Sequence, residues 1–157
     1  MKLFSLLFLL FSVFSCNSSD DSREQQNNHS EENSIFYKGM DLSFQSELED
    51  YNLNYKDENG IPVELLDFVS ENGTNLIRLK LWHTPLDGEN SLEDVKAYAQ
   101  RVKANQMDFL LNFHYSDYWA DPGTQTPPAS WQNMTNEDIR IAIYDYTKEV
   151  VTQLKNQ

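Results

Sequence analysis

Cysteine is nearly absent from the 157 residues: Cys16 stands alone, so no intrachain disulfide can staple the fold. Basic residues are scarce too, with 12 Lys+Arg against 25 Asp+Glu. The resulting charge of -13 repels phosphate backbones and argues against nucleic acid as a partner. No apolar run reaches the ~20 residues that a membrane-spanning helix needs. Only three histidines occur, and neither they nor the carboxylates form a spaced ligand cluster, so no metal or cofactor is expected. What remains is ample apolar surface for one domain: 39% of residues are hydrophobic and 13% aromatic.

The first residues read as an export leader. Lys2 supplies a positive start, residues 3–14 form an almost wholly apolar stretch, and Ser15 is small enough to precede a cleavage point. Cys16 follows at once, which resembles a bacterial lipoprotein signal whose cysteine is acylated; an ordinary secretory signal with an incidental cysteine is the alternative. The expectation is an exported lipoprotein of the outer membrane or cell surface, with residues 1–15 as signal and 16–34 as a tether. Residues 17–34 contain no aliphatic or aromatic side chain, so they cannot offset the entropy of ordering. The acidic Ser18-Ser19-Asp20-Asp21 resembles a surface-export signal, and it equally suits a solvated linker. His29 lies in this tether and is not expected to bind metal.

From residue 35 the pattern becomes that of a folded domain. Strands are expected at 37–42, 76–82 and 109–114, and a helical turn at 44–51. Asp57-Glu58-Asn59-Gly60 is a turn signal. Pro62 is expected to open a helix carrying Leu65, Leu66 and Val69, ended by Asn72-Gly73. Ser91 caps a second helix with Glu93 and Asp94 in its first turn, burying Leu92, Val95, Ala99 and Val102. Residues 115–134 form a long loop. Thr135 caps a last helix with Ile139, Ile143, Tyr146, Val150 and Leu154 on one side.

Strands alternating with helices imply parallel pairing, as in a doubly wound sheet or a β/α barrel. Period two puts Ile77, Leu79 and Leu81 on one face, opposite Arg78, Lys80 and Trp82. It likewise separates Phe109, Leu111 and Phe113 from Leu110, Asn112 and His114. A strand buried on both faces is apolar throughout. A barrel with a polar interior near its mouth explains the charged face; an edge strand facing water is the alternative. Buried Arg78 and Lys80 call for acidic partners nearby.

Barrel active sites lie at the C-terminal ends of strands. Those positions here are Asp41, Trp82-His83 and the segment His114-Tyr115-Ser116-Asp117-Tyr118-Trp119-Ala120-Asp121-Pro122-Gly123. Flat rings suit the C–H faces of sugars, while carboxylates, amides and imidazoles suit their hydroxyls. Packing within the loop would account equally for one or two of the rings.

Lys38-Gly39-Met40-Asp41-Leu42-Ser43, the run from Asn75 through Arg78 to Trp82, and the run from Phe113 to Trp131 resemble glycoside hydrolase family 53, the arabinogalactan endo-β-1,4-galactanases. The resemblance covers residues 37–157. It implies a (β/α)8 barrel, of which about the first three βα units are present, and a retaining mechanism on the β-1,4-galactan or arabinogalactan of plant pectin. Two glutamates ~5 Å apart would do the chemistry. The family's acid/base glutamate follows an asparagine at the end of the fourth strand, and its nucleophile ends the seventh. Asn136-Glu137 has no strand before it and reads as first-turn helix chemistry. Both catalytic glutamates are therefore expected beyond Gln157, and the chain alone is expected to be inactive. A non-catalytic, carbohydrate-binding surface lipoprotein is the other reading.

By resemblance, Arg78 matches the arginine that keeps the nucleophile ionised, and His114 lines the sugar subsite beside the cleaved bond. Asp41, Trp82, Tyr115, Asp117 and Trp119 are candidates for sugar contact or support. Asn112 departs from the family, which commonly has an aspartate there.

Overall fold

The computed structural model describes residues 34–155. The leader, Cys16, His29 and all but the last residue of the tether lie outside them. The chain divides into units Met1–Ser34 and Ile35–Gln157, and the architecture below is that of the second.

Three parallel strands form the sheet: β1 (Gly39–Asp41), β4 (Leu76–Leu81) and β5 (Asp108–Phe113), in the order β1-β4-β5. Register sets Asp41 beside Arg78, then Arg78 beside Leu110 and Lys80 beside Asn112. β4 thus has a hydrogen-bonded neighbour on both sides. Between the strands come α1 (Gln45–Asp50), α2 (Leu65–Glu71) and α3 (Leu92–Ala104); α4 (Asn136–Leu154) follows a 3-10 turn at Ala129–Trp131.

One expectation fails. Pro62 does not open a helix: Pro62–Val63 (β3) pairs antiparallel with Tyr55–Lys56 (β2), and α2 starts at Leu65. The Asp57 carboxylate accepts from the amides of Asn59 and Ile61 at 2.9 and 2.8 Å, and Gly60 supplies the left-handed residue, φ +79°. The hairpin strands are two residues long, too short for a period-two pattern to register.

The other helices obey their termini. The Ser91 hydroxyl accepts from the Asp94 amide at 3.3 Å. Thr135 and Asp138 form a reciprocal capping box at the start of α4.

β4 explains the core. Its alternate residues Ile77, Leu79 and Leu81 are fully buried. They share one apolar cluster with Leu66 and Val69 of α2, Val95, Ala99 and Val102 of α3, and Val150 and Leu154 of α4. Phe109, Leu111 and Phe113 pack against it from β5, as their spacing predicts. A polar tie closes the rim: the Arg101 guanidinium grips both oxygens of Glu49 at 2.7 and 2.9 Å and reaches Glu64 at 3.0 Å. It thereby joins α3 to α1 and to the start of α2, and it holds the Glu49 carboxyl below its ordinary pKa.

Because Leu81 is completely buried, Leu81→Ala should cost ~2–5 kcal/mol, whereas Ile77→Val should cost ~0.5–1.5 kcal/mol. Urea denaturation of the two variants checks this ordering; equal losses would mean the cluster is not close-packed around β4.

Candidate functional site

The sheet face opposite the core carries Asp41 from β1, Arg78 and Lys80 from β4, and Asn112 from β5, with Trp82 and His114 just past the strand ends. Main-chain bonds fix those ends: the Leu42 amide donates to the Arg78 carbonyl at 3.1 Å, and the His114 amide to the Leu81 carbonyl at 2.8 Å.

Asp41 and Arg78 form an ion pair, each with 43% of its side chain exposed. The Ser43 hydroxyl donates to the other Asp41 oxygen at 2.5 Å while accepting the Lys80 amide at 2.9 Å. Partial burial pushes the Asp41 carboxyl up, but the Ser43 hydrogen bonds and the Arg78 guanidinium outweigh it and leave it below its ordinary value.

Lys80 has the expected acids nearby, in Asp41, Glu47 and Glu89, but among the described residues it bonds to none of them. It is 2% exposed, and its ammonium has no hydrogen-bond acceptor among the described residues. Three rings enclose it instead: Phe44 at 3.2 Å, Trp82 at 4.6 Å and Trp119 at 5.1 Å from Nζ to centroid. Each desolvated contact of this kind is worth ~0.5–2 kcal/mol. Burial still pushes the lysine down to about 8, with Asp41 and Glu47 opposing. Phe44 and Trp119 lie 6.4 Å apart with planes 20° from parallel, and both remain near half-exposed.

His114 sets its ring edge-on to Trp119 at 5.6 Å. Burial, then the charges of Lys80 and Arg78, hold its imidazole below the ordinary pKa, with Asp41 opposing. His114 Nδ1 and Trp82 Nε1 are buried and, among the described residues, without a hydrogen-bond partner. Five of the seven expected residues therefore gather on one face: Asp41, Arg78, Trp82, His114 and Trp119.

Tyr115 and Asp117 serve as support. The Tyr115 hydroxyl shares a 2.8 Å hydrogen bond with Thr147 of α4, and its ring stacks on Phe113 and Trp131. The Asp117 carboxylate accepts the Thr84 amide at 3.0 Å and the Ala129 amide at 2.8 Å, clamping two loops together. His83, which directly follows Trp82, packs between Trp131 and Tyr146 at 4.8 and 4.5 Å, and burial lowers its pKa.

Sequence reasoning missed Phe44, which reads only as the start of a helical turn, and undervalued Lys80. The available signal was the alternation of β4, which aims Lys80 at the same face as two loop tryptophans. Among the described residues no group of three His, Cys, Asp or Glu side chains is placed to hold a metal ion. A 520 Å³ cleft opens beside the site, lined by Asn112, His114, Asp121, Trp131 and Ile143 among others.

Fold and site together define a parallel α/β unit that collects an ion pair, an imidazole and exposed rings at its strand ends. Sequence comparison carries this further. The profile of glycosyl hydrolase family 53 matches residues 37–157, and the chain belongs to that family. An arabinogalactan endo-beta-1,4-galactanase of Cellvibrio japonicus is 37% identical over 128 residues, covering 80% of this chain and 34% of its own length. A probable arabinogalactan endo-beta-1,4-galactanase A of Aspergillus terreus is 40% identical over 116 residues, 74% of this chain and 33% of its own. A solved fungal beta-1,4-galactanase superposes with a TM-score of 0.74 at 35% identity, covering 78% of this chain and 37% of that one. The chain spans about a third of the length of the curated relatives it matches.

Since the folded Asp41 carboxyl is depressed, its contribution to stability is complete above the ordinary carboxyl value of 3.8 and is lost as pH falls through the lowered one. In Asp41→Asn the acid-side fall in stability should therefore be shallower. Urea denaturation at a series of acidic pH values measures it; identical slopes in the two proteins would refute the ion-pair account.

Proposed function

We propose that this chain supplies part of the substrate-binding cup of a retaining endo-β-1,4-galactanase built on a (β/α)8 barrel. One observation carries the reading: a polar sheet face, in a chain of family 53, that places the exposed rings of Trp119 and Phe44 beside the Asp41–Arg78 pair and His114. A galactosyl ring offers an apolar C–H face to such rings and hydroxyls to the charged groups around them. The β-1,4-galactan named by the relatives is the substrate we assign.

On this reading the two carboxylates that cut the bond, ~5 Å apart in retaining enzymes, come from parts of the relatives' length that this sequence does not span. Arg78 is then positioned to hold the nucleophile ionised by charge-assisted hydrogen bonds, and Asp41 keeps its guanidinium oriented meanwhile. His114, uncharged at neutral pH, can accept or donate at a sugar hydroxyl without a charge penalty.

For cellular placement the sequence supports an exported lipoprotein, acylated at Cys16 and joined to the domain by the polar stretch 17–34.

Affinity electrophoresis in β-1,4-galactan gels, with a parallel assay for reducing ends, tests the proposal. The chain should be retarded by galactan and release no sugar, and Trp119→Ala should weaken retardation about tenfold, equivalent to ~1.4 kcal/mol. Wild-type mobility unchanged by galactan would sink the binding reading. Released oligosaccharides would place the catalytic pair within these residues.

A further inference from the structure

Among the described residues, Lys80 is the one fully buried cation on the polar face, and neither the core nor the Asp41–Arg78 pair accounts for it. Asp41 is committed to Ser43 and Arg78. Glu47 of α1 and Glu89 of the loop after β4 act on the lysine only through their charge. An ammonium without an acceptor is costly to bury, and the rings are what make it tolerable. Those rings arrive from three places: Phe44 from just before α1, Trp82 from the end of β4, and Trp119 from the loop after β5. Phe44 and Trp119, far apart in sequence, meet over this one cation.

Trp119 has a second restraint of a different kind. Its indole N–H donates to Asp121 at 3.2 Å, which anchors the ring by its edge, and the His114 ring meets it edge-on at 5.6 Å. The ammonium contacts both rings, and Phe44 and Trp119 each stay about half-exposed.

We propose that Lys80 is a positioning residue for sugar stacking: its caged ammonium fixes the relative orientation of Phe44 and Trp119, the ring surfaces on which a galactosyl unit lies. The ligand in this statement rests on the galactan reading above; the geometry rests on the cage alone. Lys80 itself touches no sugar. Its charge is set by the groups that surround it: Asp41 on β1, Glu47 on α1 and Glu89 favour the ammonium, Arg78 on β4 opposes it, and His114 past β5 is uncharged at neutral pH. With burial lowering the lysine to about 8, alkaline pH removes the cation and frees the rings.

The test uses the full chain and its Lys80→Met and Lys80→Arg variants. Methionine keeps length and apolar bulk without charge, while arginine keeps a cation that stacks on rings. With β-1,4-galactotetraose at neutral pH, Lys80→Arg should bind within about threefold of wild type and Lys80→Met at least about tenfold more weakly. Without sugar, tryptophan emission of the wild type should show a transition between pH ~7 and ~9 that both variants lack. Equal binding by wild type and Lys80→Met would overturn the proposal, as would the same emission transition in all three proteins. If Lys80→Met does not fold, a tenfold loss in Lys80→Arg overturns it and retained binding supports it. If wild type binds no galactotetraose, the galactan reading fails, and the emission transition alone decides whether Lys80 organises the rings.

Discussion

A central parallel strand with cations on one side and aliphatic side chains on the other is the constraint that shapes this domain. β4 has neighbours on both edges, so it cannot turn its charged side away without losing the packing of Ile77, Leu79 and Leu81. Arg78 and Lys80 must therefore be accommodated where they stand. The two are handled by different physics. Arg78 remains partly in water and takes a carboxylate from the adjacent strand. Lys80, one pleat further toward the strand end, is shut off from water and takes π-faces. Accommodating both draws Asp41, Ser43, Phe44, Trp82 and Trp119 to one place, which is why the candidate site lies there.

A second aromatic group holds the loops. His83, Phe113, Tyr115, Trp131 and Tyr146 meet edge to face and in stacks between the strand ends and α4. The Tyr146 hydroxyl donates to the Trp82 carbonyl at 3.1 Å, so the helix grips the chain at the residue whose ring closes the lysine cage. The division of labour is sharp along the chain: His83 and Tyr115 anchor loops, while Trp82 and His114, one residue before each, join the group around Lys80 and Trp119.

Much of this is legible in the sequence because alternation is a strong signal wherever a strand is long enough. The six residues of β4 and of β5 assign every side chain to a face, and the caps at Ser91 and Thr135 mark where helices begin. The β2–β3 hairpin escaped because two residues per strand carry no period, and Pro62 is as acceptable at a strand edge as in a first helical turn. Phe44 escaped for a different reason. Its role is fixed by a contact with Lys80 across 36 positions of sequence, and nothing local to Leu42-Ser43-Phe44 announces it. The acids expected near the buried cations are present, while at Lys80 three rings, which the sequence does not announce, line the ammonium directly.

The Asp117 clamp couples two parts of the surface. One carboxylate holds the amide of Thr84, in the loop after β4, and that of Ala129, at the entrance of the 3-10 turn. Lengthening either segment would pull on the other, so insertions and deletions in the two should arise in matched pairs as such proteins diverge. These two loop segments are in that sense a single unit of variation, remodelled as a whole while the strands beneath them stay fixed.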